Sequence, residues 1–89
     1  MTTVSVTAEH IAEGVPGDAC ACPVAFAVRD AFPHAQDVTV GDLYISMYDR
    51  GQSRLLIMPA DVRALIGAID RNRAVDPFTF ELDYPAVTA

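Results

Sequence analysis

Apolar and polar residues alternate from Thr3 to Thr7, with Val4 and Val6 on one side and Thr3, Ser5 and Thr7 on the other. A period of two marks a half-buried strand. Thr7 then suits the N-cap of a short helix over Ala8 to Glu13, with Glu9 in the first turn, where the helix dipole favours an anion, and Gly14 as its stop. From Gly14 to Cys22, glycines, a proline and two cysteines interrupt any regular period, so this stretch reads as a loop. Pro23 fits the first position of a second helix. Val24, Ala27, Val28 and Ala31 recur on one face of it, Phe26 and Phe32 widen that face, and only Arg29 and Asp30 look solvated. A helix apolar over most of its circumference is either deeply buried or covers a partner. Pro33 ends it.

Further along, Val38 and Val40 alternate on even positions but Leu43, Ile45 and Met47 on odd ones, so the inward face slips by one residue across Gly41-Asp42. One strand with a β-bulge there is preferred over a Gly-Asp hairpin, because two separate strands would be short. Asp49-Arg50-Gly51-Gln52 turns the chain into Ser53 to Met58, which makes an antiparallel hairpin. Pro59 opens the third helix, with Val62, Leu65, Ile66 and Ile69 on one face, Asp61 early, and Arg71 and Arg73 late. Gly67 lies inside it at a cost of ~1 kcal/mol relative to Ala, through either close approach of another backbone or simple tolerance on an exposed side. Phe78, Phe80, Leu82 and Tyr84 alternate with Thr79, Glu81 and Asp83, the pattern of a closing strand with one wet face. This βαββαβ order is that of a ferredoxin-like α+β sandwich with a broken first helix and a single mixed or antiparallel sheet. The domain is expected to span 1–84, with 85–89 as a flexible tail.

Composition narrows the function classes. The chain has 89 residues, one domain's worth, and 52% hydrophobic against 20% charged residues is enough apolar surface to fold. A net charge of −6 argues against binding the phosphate backbone of a nucleic acid. Apolar runs are far short of a membrane span, and the N-terminus lacks a basic start with an apolar core, so a cytoplasmic protein with no membrane association is expected.

The two thiols of Cys20-Ala21-Cys22 could share a metal with His10 and His34 in a tetrahedral site. Their spacing is not that of ordinary zinc ligand pairs, and it differs from the Met-x-Cys-x-x-Cys loop of copper chaperones. The competing reading has Cys22 capping or packing beneath the second helix and Cys20 as a reduced surface thiol. A nucleophilic Cys22, with its pKa lowered at a helix start and with His10 or His34 as base, would need an oxyanion-hole motif that the chain lacks. No enzyme and no cofactor are therefore expected. Tyr84 is expected on the open sheet face or its rim, as are Tyr44 and Tyr48, which share the side opposite Leu43, Ile45 and Met47. Together with Phe26 and Phe32 on the second helix, Tyr44 and Tyr48 are the residues expected to contact a protein partner or a second copy in a homodimer. Another possibility within the interaction class is an acidic nucleic-acid mimic that presents Asp37, Asp42, Asp49, Glu81 and Asp83 along one sheet edge to a DNA- or RNA-binding enzyme.

Cys22-Pro23-Val24-Ala25, the Val38-Thr39-Val40 strand, the Met58-Pro59 helix start, Asp70 and the closing Asp76-Pro77-Phe78-Thr79-Phe80-Glu81-Leu82 together carry a family likeness. Over His10 to Leu82 the chain resembles a group of small uncharacterised proteins of actinobacteria and their phages. Fourteen Ala, with Arg as the sole cationic side chain type besides His, fit the GC-rich genomes of that group. The resemblance brings no activity and no catalytic residues. It implies a phage- or prophage-type accessory protein that works by binding host or viral proteins.

Overall fold

The computed structural model describes residues 2–41 and 43–84, and within them the chain runs β1 (Thr2–Val6), α1 (Ala8–Glu13), α2 (Pro23–Ala31), β2 (Ala35–Val40), β3 (Tyr44–Asp49), β4 (Gln52–Ile57), α3 (Ala60–Asp70) and β5 (Phe78–Leu82). The tail expected over 85–89 lies outside the described residues. The mixed α+β class follows directly from the two periodicities in the sequence. The alternation at the two ends of the chain places the first strand beside the last: β1 and β5 are antiparallel, with Val4 opposite Phe80 and Thr2 opposite Leu82. Val4, Val6, Phe80 and Leu82 are buried, whereas Thr3 and Glu81 face out and hydrogen-bond to each other.

The middle of the chain departs from the single bulged strand. Val38 to Met47 is two strands, and β2, β3 and β4 form an antiparallel meander. Gly41 N–H donates to the Tyr44 carbonyl at 2.8 Å, and Val40 lies opposite Ile45. The slip of the apolar face is therefore a chain reversal, which lets even positions of β2 and odd positions of β3 point the same way. Leu43 belongs to the turn and is half-exposed, not inward. A bulge does occur, but between Gln36 and Thr39, where Asp37 takes a φ of 53°. Asp is among the few residues other than Gly that enter this left-handed region readily.

The described strands are five, in a two-stranded and a three-stranded sheet, so the expected single sheet is divided and the element order is βααβββαβ. One hydrophobic cluster joins both sheets through α2. Pro23, Val24, Ala25, Ala27 and Val28 are all buried, and the helix packs on β1 and β2. Its apolar circumference is explained by this central position. Helix α3 adds Val62 to this cluster, with Ile66 packed against it, and a Cβ built on Gly67 would meet nothing within 4 Å, so close backbone approach is not the reason for that glycine.

The first helical region is broken as expected. α1 carries a capping box in which Thr7 Oγ1 accepts from His10 N–H and His10 Nδ1 accepts from Thr7 N–H. Gly14 ends α1 in extended backbone, and its lack of a side chain is needed for another reason: a Cβ there would lie 2.4 Å from Pro23 Cδ. The intervening loop is closed by Val15 N–H to the Ala21 carbonyl at 2.9 Å and Cys22 N–H to the Asp18 carbonyl at 2.8 Å.

Candidate functional site

The turn between β3 and β4 decides which side chains share the open face. Arg50 and Gly51 both have positive φ, 54° and 80°, the conformation of a two-residue type I′ hairpin turn. That turn sets Asp49 opposite Gln52, and the register then runs on as Tyr48 with Ser53, Ser46 with Leu55 and Tyr44 with Ile57. These three pairs lie on the outer face, and β2 extends the face with Thr39 beside Ser46 and Gln36 beside Tyr48. Every residue in these rows is uncharged. Four are large, and all four are open to solvent: Tyr44 is 44% exposed, Tyr48 48%, Leu55 64% and Ile57 78%. The inner face of the same sheet carries Val38, Val40, Ile45 and Met47 into the core. Scattered exposed apolar residues are ordinary, but a contiguous uncharged patch on a chain of net charge −6 is the kind of surface that marks a binding site.

Of the four residues expected at an interface, Tyr44 and Tyr48 stand on this face. The two phenylalanines do not. Phe32 is buried, with its ring 5.8 Å from that of Tyr84, and Phe26 is half-buried with the Arg29 guanidinium 5.5 Å from its centroid. α2 directs its apolar surface into the core, so it leaves no apolar helical face for a partner. Leu55 and Ile57, the two most exposed large residues of the patch, were missed because Leu55-Leu56-Ile57 is an unbroken apolar run. Counting outward from the Arg50-Gly51 turn would have found them.

Cys20, Cys22, His10 and His34 are each held in separate surroundings. Cys22 is the N-cap of α2, buried, with Sγ accepting from Ala25 N–H at 3.4 Å. Burial pushes its thiol pKa up, the Asp70 charge adds to this, and the N–H groups at the helix start offset only part of it. That is the opposite of an activated nucleophile. Cys20 is exposed, with Sγ 3.9 Å from Thr39 Oγ1. His10 accepts from Thr7 N–H at Nδ1, so its proton sits on Nε2, which lies 2.6 Å from Asp30 Oδ2 and fastens α1 to the last turn of α2. His34 is exposed in the connection after α2. Among the described residues no three His, Cys, Asp or Glu side chains converge.

A cavity of about 260 Å³ between the cysteine loop, the end of β2 and α3 is lined by Asp18, Cys22 and Asp70. Both carboxylates already serve the loop: Asp70 accepts from Gly17 N–H and Asp18 from Cys20 N–H, each at 2.9 Å. The acidic row does not assemble along one edge. Asp49 is buried on the inner face, where it accepts from Tyr84 O–H at 2.5 Å, and Glu81 belongs to the other sheet. Asp42 lies outside the described residues. No helix is long and apolar enough to cross a membrane among the described residues.

Comparison with protein-family models, with curated proteins and with solved structures finds no match.

Proposed function

We propose that this chain is a non-enzymatic interaction protein, of the phage or prophage accessory type, that binds protein through the outer face of the β2-β3-β4 sheet. The observation that carries this reading is the uncharged patch of Tyr44, Tyr48, Leu55 and Ile57, all exposed on one face of a sheet whose other face is buried. Tyrosine is enriched at interface centres, with a large apolar body and a polar tip, and Leu and Ile beside it supply area without desolvating charge. Cys22 is occupied as the cap of α2 and His10 as the α1-α2 tie, and the exposed Cys20 and His34 stand apart from each other, which leaves this face as the unexplained feature of the surface.

The test is a photo-reactive residue placed at position 55 and, as a control, at the exposed Glu9 of α1, in cells that express the chain. Protein adducts that form at 55 and not at 9, and fall when Tyr44 and Tyr48 are changed to Ala, are the expected result. The double substitution is expected to weaken binding by about 2 kcal/mol or more, as interface anchors do. No adducts at 55, or equal adducts at both positions, would overturn the reading.

A further inference from the structure

We propose that a second copy of the chain joins along the β4 edge of this face, by antiparallel pairing of the two β4 strands about a two-fold axis at Leu55, so that the two outer faces run on as one; the inference rests on the outer face being an interaction surface. The edge of β4 is the first support. In a two-residue hairpin the flanking pair, here Asp49 and Gln52, exchanges both backbone hydrogen bonds, and the pattern alternates from there. Gln52, Arg54 and Leu56 therefore spend their backbone groups on β3, and Met58 N–H, donating to the Leu43 carbonyl at 3.0 Å, continues that series. Ser53, Leu55 and Ile57 turn their N–H and C=O groups to the free edge. Among the described residues β4 pairs only with β3.

Among the described residues the opposite edge of this sheet is bulged and hydrogen-bonded to a loop, whereas β4 is neither. β2 is bulged between Gln36 and Thr39, carries the charged Asp37 at the bulge, and has Val40 N–H taken by the Ala19 carbonyl at 2.8 Å. Bulges, charges and covering loops are how proteins block edge-to-edge pairing. Among the described residues β4 has no bulge and no paired strand on its outer side, where Ser53, Leu55 and Ile57 are exposed and the charge beside them is that of Asp83.

Charge and register select a second copy and one centre. Two chains of net charge −6 repel, and the β4 edge lets them meet through the uncharged Ser53, Leu55 and Ile57 without setting like charges directly opposite. Matching free backbone groups and matching faces require an axis at a single residue. Centred on Leu55, the pairing uses all three free residues, with Leu55 opposite its own mate and Ser53 opposite Ile57 of the second copy. Centred on Arg54, it would oppose two guanidinium groups. Asp83 lies beside Leu55, Leu56 and Ile57, and the Leu55 axis sets Arg54 of the second copy across from Leu56, within the field of that carboxylate.

The experiment is sedimentation equilibrium of the purified chain at about 100 μM, a concentration at which a dissociation constant of ~10 μM leaves most chains paired. The expected mass is twice the 9.6 kDa of the chain, falling to one chain in Leu55→Lys, which puts two cations at the axis, with circular dichroism unchanged. In a Cys20→Ser background, Leu55→Cys is expected to oxidise to a covalent dimer, since opposed residues of a hydrogen-bonded antiparallel pair lie within disulfide reach, while Tyr48→Cys, away from the edge, is not. A monomeric wild type, a dimer that survives Leu55→Lys, or cross-linking at 48 in place of 55 would overturn the proposal. A monomer that still gives adducts to other proteins at position 55 overturns self-pairing and leaves the interaction face standing, whereas loss of both removes the functional reading as well.

Discussion

Two glycine-to-alanine changes, one between α1 and α2 and one inside α3, are expected to move stability in opposite directions. At Gly14 the backbone has φ −69° and ψ 149°, open to any residue, so the whole effect of Ala is steric. Its Cβ would sit 2.4 Å from Pro23 Cδ and 2.5 Å from both Cγ and the ring nitrogen, against an ordinary carbon contact of ~3.5–4.0 Å. About 1 Å must therefore open. The obstacle is a rigid ring at the first position of α2, itself buried and followed by the buried Val24, Ala25, Ala27 and Val28, so it cannot rotate aside without carrying the core helix with it. Overpacking of this kind costs about 1–3 kcal/mol, and the ~0.4–1 kcal/mol gained by stiffening the unfolded chain offsets part of it. Gly67 is the control. It lies inside α3 with open space where a Cβ would go, so Ala is expected to stabilise by up to ~1 kcal/mol. Urea unfolding followed by circular dichroism measures both, with the midpoint falling for Gly14→Ala and rising for Gly67→Ala at an unchanged slope. In thermal unfolding each kcal/mol corresponds to ~4–8 °C for a chain this size. A Gly14→Ala variant as stable as the wild type would refute the packing of the loop against Pro23.

Three more outcomes follow from single contacts. Native protein is expected to show one fast-reacting thiol toward a disulfide reagent, that of exposed Cys20, and a second only on unfolding, because Cys22 is buried with its pKa raised; two equally fast thiols would contradict the capping geometry. The hydrogen bond to Asp49 raises the Tyr84 pKa above its ordinary value of 10.0, so the stability it contributes is complete below that pH and is lost as pH climbs through the folded-state value. Phenolate absorbance is expected to show a late-titrating tyrosine that Asp49→Asn moves back toward the ordinary range, and an unchanged titration would break the assignment. Arg50 holds a φ of 54°, a left-handed conformation that costs a residue with a Cβ ~1–2 kcal/mol, so Arg50→Asn is expected to raise the unfolding midpoint by about 1 kcal/mol of stability, and a fall would argue against the type I′ turn.

The sheets were legible to different degrees for a physical reason. In β1 and β5 one face is buried and the other wet, so period two alone reveals the strand and its inward residues. Across Gly41-Asp42 the same alternation is ambiguous, because a bulge and a reversal both shift the inward face by one residue. Length favoured one strand, but a six-residue β2 is sustained by what it packs against, α2 beneath it and the cysteine loop on its edge, and neither neighbour is visible in local periodicity. The division into two sheets is likewise a matter of long-range pairing.

The interaction face shows where pattern ends and register begins. Tyr44 and Tyr48 could be placed outward because their neighbours Ile45 and Met47 are unmistakably inward. Leu55, Leu56 and Ile57 offer no such contrast: all three are apolar, and only the cross-strand partners set by the turn separate Leu56, which packs on the core, from the two residues that face solvent. Phe32 illustrates the converse. A helix apolar on most sides has two explanations, burial and a partner, and composition cannot choose between them. The choice is made by position, because α2 lies between β1 and β2 and spends its apolar surface inside one molecule. Apolar surface left over by the core thus appears on β4, the strand in which the same residues, Leu55 and Ile57, carry both the outer side chains and the free backbone groups, and that coincidence, not the number of apolar residues, is what makes it the edge to perturb.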